Sequence, residues 1–262
     1  MIKLVSVLHD PESRLFDLAR DNIGKLRYLF GTFTIVVSRK TSSMMLTLLK
    51  DMGISLVYDD GSMFLAYREA LKIGALSPAD YVMLVDFDRL LVWADQQFDE
   101  LAKVKETEGY DYLLLERTQD AFRTHPPLQL ETEYMCNFYL SKLFGFAETK
   151  DFFSGAWFFS KEVAWHIVES STVENNGFYG EWHARAREKA KNIGFAQCNG
   201  LEWETPYQYR KEIDSIGMEA WMKVFEEKDK GHRMGNFYLI LKEVMKLTDG
   251  KFKEIALTSG RQ

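Results

Sequence analysis

Short apolar runs rich in β-branched residues alternate with stretches of helical period through the first half of the chain. Ile2–Leu8 is one such run, and it stops at His9-Asp10-Pro11. Residues 13–29 follow with Leu15, Leu18, Ala19, Ile23, Leu26 and Leu29 at helical spacing. Residues 33–37 form a second strand pattern. Residues 42–52 read as a helix that Gly53 stops. A third strand over 54–58 ends at Asp59-Asp60-Gly61, and Ser62 is placed to cap a helix running to about Ile73. A fourth strand over 81–85 runs into Asp86. A helix over 98–104 and a strand over 112–116 come next. The pattern weakens from Arg117 to Glu133, where Pro126-Pro127 predicts a loop region. Beyond it the spacing predicts a helix over 132–144, an aromatic strand over 152–160, a helix over 161–169, a helix over 181–193 and a short strand over 195–198. In the tail, 213–247, two amphipathic helices are expected. Met218, Trp221 and Phe225 share one face; Phe237, Ile240, Leu241, Val244 and Met245 share another.

Such alternation predicts a largely parallel sheet with helices on both faces. Ligands of open sheets bind where the strands end, which places Asp10, Ser38, Asp59, Asp86 and Asp88 along one rim. Several carboxylates on one rim repel one another, and a bound cation would relieve them.

Composition narrows the function. With 262 residues and 46% hydrophobic positions the chain can bury a substantial core. The 14% aromatic content leaves material for stacking surfaces as well as core. A net charge of -6 without a long basic run argues against nucleic acid as a partner. Cys136 and Cys198 match no metal-ligand spacing. The apolar run at the start is too short for a signal peptide, and no segment reads as an integral membrane span. A soluble, cytoplasmic protein is expected.

The strongest local signal is Tyr81-Val82-Met83-Leu84-Val85-Asp86-Phe87-Asp88. An apolar strand there delivers two carboxylates one residue apart. Hard cations such as Mg2+ or Mn2+ prefer oxygen ligands of this kind, and a diphosphate supplies the remaining oxygens. This segment, with the preceding 64–71 helix, resembles the nucleotide-sugar half of GT-A-fold glycosyltransferases. Phe153-Ser154-Gly155-Ala156-Trp157 and Gly180-Glu181-Trp182-His183 resemble that fold's acceptor-side strand and its acidic motif. The resemblance spans about Ile2 to Pro206 in the same order. It implies an α/β, GT-A-like (nucleotide-diphospho-sugar transferase) three-layer fold with a mostly parallel central sheet and C-terminal helices. Residues 1–210 would be the catalytic domain, with 1–117 binding donor and 118–210 acceptor, and 211–262 would be a helical extension packed on it.

The resemblance implies a metal-dependent glycosyltransferase. Asp86 and Asp88 would hold Mn2+ or Mg2+, with Glu204 as a further candidate ligand because no late histidine is evident near residues 200–206. Asp10 and Arg68 join them as donor-binding candidates. Gly155, Trp157 and Trp182 are placed on the acceptor side, and the acceptor itself could be a sugar, a lipid-linked group or a protein. Glu181 is the candidate general base, expected to face the donor across the cleft, with Glu202 and Glu204 next in line. The ordinary alternatives stay open for each: a helix-start acid for Glu181, core packing for the tryptophans, a surface ion pair for Arg68, a turn residue before Pro11 for Asp10. His183 reads as a surface residue or one supporting the site from behind. Two other functions fit the Asp-x-Asp: a haloacid-dehalogenase-type phosphatase with Asp86 as nucleophile, and a binding module without catalysis. Leu90, where that phosphatase motif expects Thr or Val, and the three strands ahead of the motif argue against the former.

Overall fold

The computed structural model describes residues 1–59 and 61–247. Asp60, in the expected turn after the third strand, and the end of the expected C-terminal extension, 248–262, lie outside the described residues. The first three crossovers are β1 (Ile2–Leu8), α1 (Phe16–Phe30), β2 (Thr34–Val37), α2 (Ser43–Asp51), β3 (Ser55–Tyr58), α3 (Met63–Leu76) and β4 (Tyr81–Asp86). Ser42 and Ser62 accept the backbone N–H of Met45 and Leu65, and so start α2 and α3. The chain continues through α4 (Phe87–Gln96), α5 (Phe98–Lys105), β5 (Tyr112–Arg117), α6 (Gln119–Arg123), α7 (Pro127–Leu143), β6 (Ala156–Ser160) and α8 (Lys161–Ser170). It ends with α9 (Phe178–Lys189), β7 (Ile193–Cys198), α10 (Thr205–Gln208), α11 (Arg210–Ile216) and α12 (Met218–Leu247).

The strands form one seven-stranded sheet in the order β3-β2-β1-β4-β6-β5-β7. All neighbours are parallel except at β6, which runs antiparallel to both β4 and β5. Alternation along each strand feeds two cores. On β4, Met83 and Val85 join the side packed by α1, α2, α4 and α5, while Val82 and Leu84 join the side packed by α3, α7, α8 and α9. The result is the expected three-layer α/β arrangement.

Topology fixes the functional rim. The C-terminal ends of β1, β2, β3 and β4 lie side by side, with Val7 opposite Asp86 and Leu8 opposite Val37. Because β6 is antiparallel, it begins where these strands end, so Gly155 arrives beside Asp86 and its carbonyl accepts the Asp86 N–H at 3.3 Å.

Three stretches differ from expectation. The segment after Asp86, to which the pattern assigned no element, is helix α4, with Asp86 at the N-cap and Asp88 in the first turn. Residues 117–133 hold α6 and the first turns of α7, whose Pro127 occupies the first helical position, where proline is tolerated. The tail helices are one short helix, α11, and a single 30-residue helix, α12. The two predicted apolar faces are both present on α12: Trp221 and Phe225 pack on Trp203 and Tyr209, while Ile240 and Val244 join the core near α9. Among the described residues no helix is long and apolar enough to cross a membrane.

Candidate active site

Asp86 and Asp88 stand half-buried at the junction of β4 and α4. Asp86 accepts a hydrogen bond from the Tyr67 hydroxyl of α3, and that hydroxyl receives one from Tyr179 of α9 at 3.3 Å. Asp88 accepts the Arg89 N–H at 2.8 Å through Oδ1 and the Gln208 amide at 2.8 Å through Oδ2. Arg89 is buried and pairs with Glu204 at 2.5 Å. Its other amino group donates to the Ser154 carbonyl.

Burial pushes the Asp86 carboxyl up to about 6, with the nearby Arg89 charge pulling the other way and Glu204 adding to the rise. Burial, then the charges of Glu204 and Asp86, push Asp88 up to about 7. The positive end of α4 favours charge at both positions, yet two carboxylates so placed remain short of a cation.

Gly155 has φ of +70°, a left-handed conformation suited to glycine. A Cβ there would stand 3.0 Å from Asp86 Oδ2 and 3.1 Å from Arg89 Nε. The backbone is thus free to pass close beside the two charges.

Two cavities meet at this point. One, of about 560 Å³, opens over the ends of β1, β2 and β3 and is lined by Leu8, His9, Ser38, Asp59, Asp86 and Asp88, among others. The start of α3 (Ser62, Met63) and Gln208 complete its wall. The other, of about 260 Å³, lies on the α7 and α12 side and is lined by Arg89, Gln129, Glu133, Glu204, Arg233 and Phe237, among others. Met63, Asp86 and Tyr179 line both.

The structure brings together Asp86, Asp88, Gly155 and Glu204, and puts Ser38 and Asp59 in the larger cavity. It places the other expected residues elsewhere. The Asp10 carboxylate is buried and accepts the N–H groups of Arg14 and Leu15, closing the turn into α1. The Arg68 guanidinium donates to the Val168 carbonyl at the end of α8. Trp157 packs edge-on against Tyr67, behind the cleft wall, and Trp182 is core, donating to Ser171 at 3.2 Å. Glu181 is only 1% exposed and lines neither cavity. Its oxygens accept from the Ser171 hydroxyl at 2.6 Å, the Thr172 N–H at 3.0 Å and the Val173 N–H at 3.4 Å. That carboxylate anchors the loop between α8 and α9 rather than facing the cleft. His183 is buried, not at the surface, and its Nδ1 shares a hydrogen bond with the Tyr112 hydroxyl. Glu202 accepts the Tyr207 hydroxyl and lines a separate groove with Trp203.

Among the described residues no group of three or more His, Cys, Asp and Glu side chains is arranged to hold a metal. Glu204, the further candidate ligand, is committed to Arg89. The aspartate pair is a fitting but incomplete oxygen set for a hard cation, one that a bound diphosphate would complete.

Tyr67, Arg89, Tyr179 and Gln208 were not singled out from sequence. Tyr67 was within reach of it, because helical spacing sets Tyr67 with Phe64 and Leu71 on the buried face of α3.

No protein-family model matches the chain, and no curated protein does. Solved structures do. A mycobacterial protein superposes with a TM-score of 0.51 at 13% identity, over 76% of this chain and 64% of that one. The glucosyl-3-phosphoglycerate synthase of Mycobacterium tuberculosis, in complex with Mn2+, UDP and glucosyl-3-phosphoglycerate, aligns at a TM-score of 0.44 and 13% identity, over 76% and 70%. The 4-diphosphocytidyl-2C-methyl-D-erythritol synthase of Anaerococcus prevotii aligns at 0.46 and 11%, over 80% and 95%. At such identities the likeness concerns fold alone: the chain has the three-layer α/β fold with a mostly parallel central sheet that the sequence resemblance implied.

Proposed function

We propose that this protein is a glycosyltransferase that takes a sugar from a nucleoside diphosphate sugar. The observation that carries the reading is the pair of cavities meeting at Asp86. A transferase must hold two substrates with their reacting atoms adjacent, and one carboxylate bordering two pockets gives that arrangement.

The larger cavity is the donor site in this reading. Leu8, Leu15 and His9 offer surface for a nucleobase, and Ser38 and Asp59 offer hydrogen-bonding groups for a ribose. The diphosphate would lie toward Asp86 and Asp88, where the N-terminal ends of α3 and α4 favour negative charge. Asp86 and Asp88 would hold Mn2+ or Mg2+ there. Such an ion neutralises charge on the departing nucleoside diphosphate. Tyr67 fixes one oxygen of Asp86, and Gln208 fixes one of Asp88, so the two carboxylates are oriented before any ligand arrives.

The smaller cavity is the acceptor site. Glu204 is the carboxylate in its wall that we assign to the acceptor hydroxyl, as proton acceptor or as orienting group. Arg89 holds Glu204 in place by their 2.5 Å ion pair. Glu181 is assigned to the fold.

The test is a screen of UDP, GDP, CDP and ADP, and of sugars linked to them, with and without Mn2+. Thermal shift and donor hydrolysis are the readouts. One nucleoside diphosphate should bind in a metal-dependent way, and its sugar conjugate should be turned over slowly. Release of phosphate from simple phosphoesters, with no nucleotide bound, would sink the proposal in favour of a phosphatase.

A further inference from the structure

The acceptor cavity carries chemistry of its own. One wall is α12, which contributes Asp229, His232, Arg233, Asn236, Phe237 and Ile240. The facing wall is α7, with Gln129, Thr132, Glu133 and Cys136.

Its charges are already matched. Arg233 pairs with Asp229 at 2.5 Å, Arg89 with Glu204 at 2.5 Å, and Glu133 with Arg117 at 2.6 Å. Glu133, Glu204 and Asp229 thus each face a guanidinium, and Asp86 is the carboxylate assigned to the cation. An anionic acceptor would therefore meet guanidiniums that already have carboxylate partners.

Gln129 is different. It is 4% exposed, and its Nε2 donates to Glu133 at 2.7 Å, which fixes the orientation of the amide. Its Oε1 is buried and has no hydrogen-bond partner among the described residues. A buried carbonyl oxygen at a cavity wall needs a donor. A neutral hydroxyl supplies one, whereas a phosphate or carboxylate offers only acceptors. Phe153 and Phe237 add flat apolar surface to the same cavity. Aromatic rings there suit the C–H face of a pyranose, whose edge carries the hydroxyls.

We infer that the cavity between α7 and α12 binds a neutral sugar as acceptor, one hydroxyl donating to Gln129 Oε1 and one face of the ring packing on Phe237. The inference rests on the glycosyl-transfer reading of the site. It makes α12, the helix beyond the expected catalytic domain, the element that selects the acceptor.

The test uses the full chain, saturated with UDP (or whichever nucleoside diphosphate binds) and Mn2+. Methyl glucoside, methyl mannoside and methyl galactoside are compared with glucose 6-phosphate and methyl glucuronide by saturation-transfer NMR and titration. At least one neutral glycoside should bind, and more tightly than the charged probes. Gln129→Leu and Phe237→Ala should each weaken it about tenfold, with nucleotide binding held within about twofold. Phe237 is half-buried on the cavity wall, so its variant remains informative if Gln129→Leu folds poorly. Preference for the charged probes, or unchanged glycoside binding in both variants, would overturn the inference. So would nucleotide binding with no neutral glycoside bound. Glycoside binding without any nucleotide binding would instead overturn the donor assignment and leave the sugar pocket standing.

Discussion

Tyr67 of α3 donates its phenolic proton to Asp86 at the end of β4. The bond ties a buried helix to the carboxylate that borders both cavities, and it favours the ionised form of Asp86. Tyr67→Phe should therefore raise the Asp86 pKa further above its ordinary value. The pH midpoint for metal-dependent nucleotide binding should move upward, by about half a unit or more. Titration calorimetry across pH 5 to 8.5 reads this directly. A midpoint identical to wild type would mean that Tyr67 only fills space.

The aspartate pair also sets how stability varies with pH. Both carboxyls hold their protons more tightly in the folded chain, at about 6 for Asp86 and about 7 for Asp88, than in the unfolded one, near 3.8. Their contribution to stability is fully present below the unfolded value. It is lost as pH rises through the folded values. Bound Mn2+ replaces those protons. The rise in melting temperature on adding Mn2+ should therefore be several degrees larger at pH 8 than at pH 5. Differential scanning calorimetry at both pH values tests it, and an equal or larger rise at pH 5 would contradict the assignment.

Glu181 and Glu204 should differ in transfer per folded molecule under the same substitution. Glu181 accepts only donors, so Glu181→Gln turns an amide N–H2 toward N–H and O–H groups in a buried loop. A loss of about 1–3 kcal/mol is expected, with transfer per folded molecule little changed. Glu204→Gln keeps an oxygen for Arg89 but cannot take a proton. It should cut transfer per folded molecule about 100-fold, and it should also lower the melting temperature because the buried Arg89 loses its charged partner. If Glu181→Gln abolished transfer in a fully folded protein, the roles would have to be exchanged.

The positions of Asp86 and Asp88 were legible because four buried apolar residues, Val82 to Val85, lead straight into them. The parallel sheet was legible for the same reason, since strand and helix periods alternate cleanly through β1 to β4. What followed Asp88 was not. Phe87, Leu90, Leu91 and Ala94 do stand at helical spacing, but α4 begins where β4 ends with no turn residue between them, so its stripe merges with the strand's apolar run. The start of α7 was hidden differently. Pro126-Pro127 reads as a break, yet it is a helix start, and the buried Gln129, Asn137 and Ser141 are polar, so no apolar stripe marks the turns that follow. The tail's two apolar faces suggested two helices, but a single helix, α12, carries both. Glu181 shows the limit for site residues. Its chain position suits an acceptor-side base, but the loop at Ser171 to Val173 closes over it, and no spacing rule reports that fold-back. Arg233 and Gln129 reach one cavity from helices far apart in sequence, a proximity that only packing creates.

The most direct test of the account is calorimetric titration of nucleoside diphosphates into wild-type protein and Asp88→Asn, each with and without Mn2+. Asp88 is half-buried at the start of α4, and an asparagine keeps an acceptor for the Arg89 N–H, so the variant should fold. The account predicts that one nucleoside diphosphate binds wild type about tenfold or more tightly with Mn2+ than without. Asp88→Asn should lose that metal-dependent gain while retaining the weak metal-free binding. Absence of any nucleoside diphosphate binding to wild type in Mn2+, or an undiminished metal effect in Asp88→Asn, would contradict the assignment of this rim as a nucleotide-sugar site.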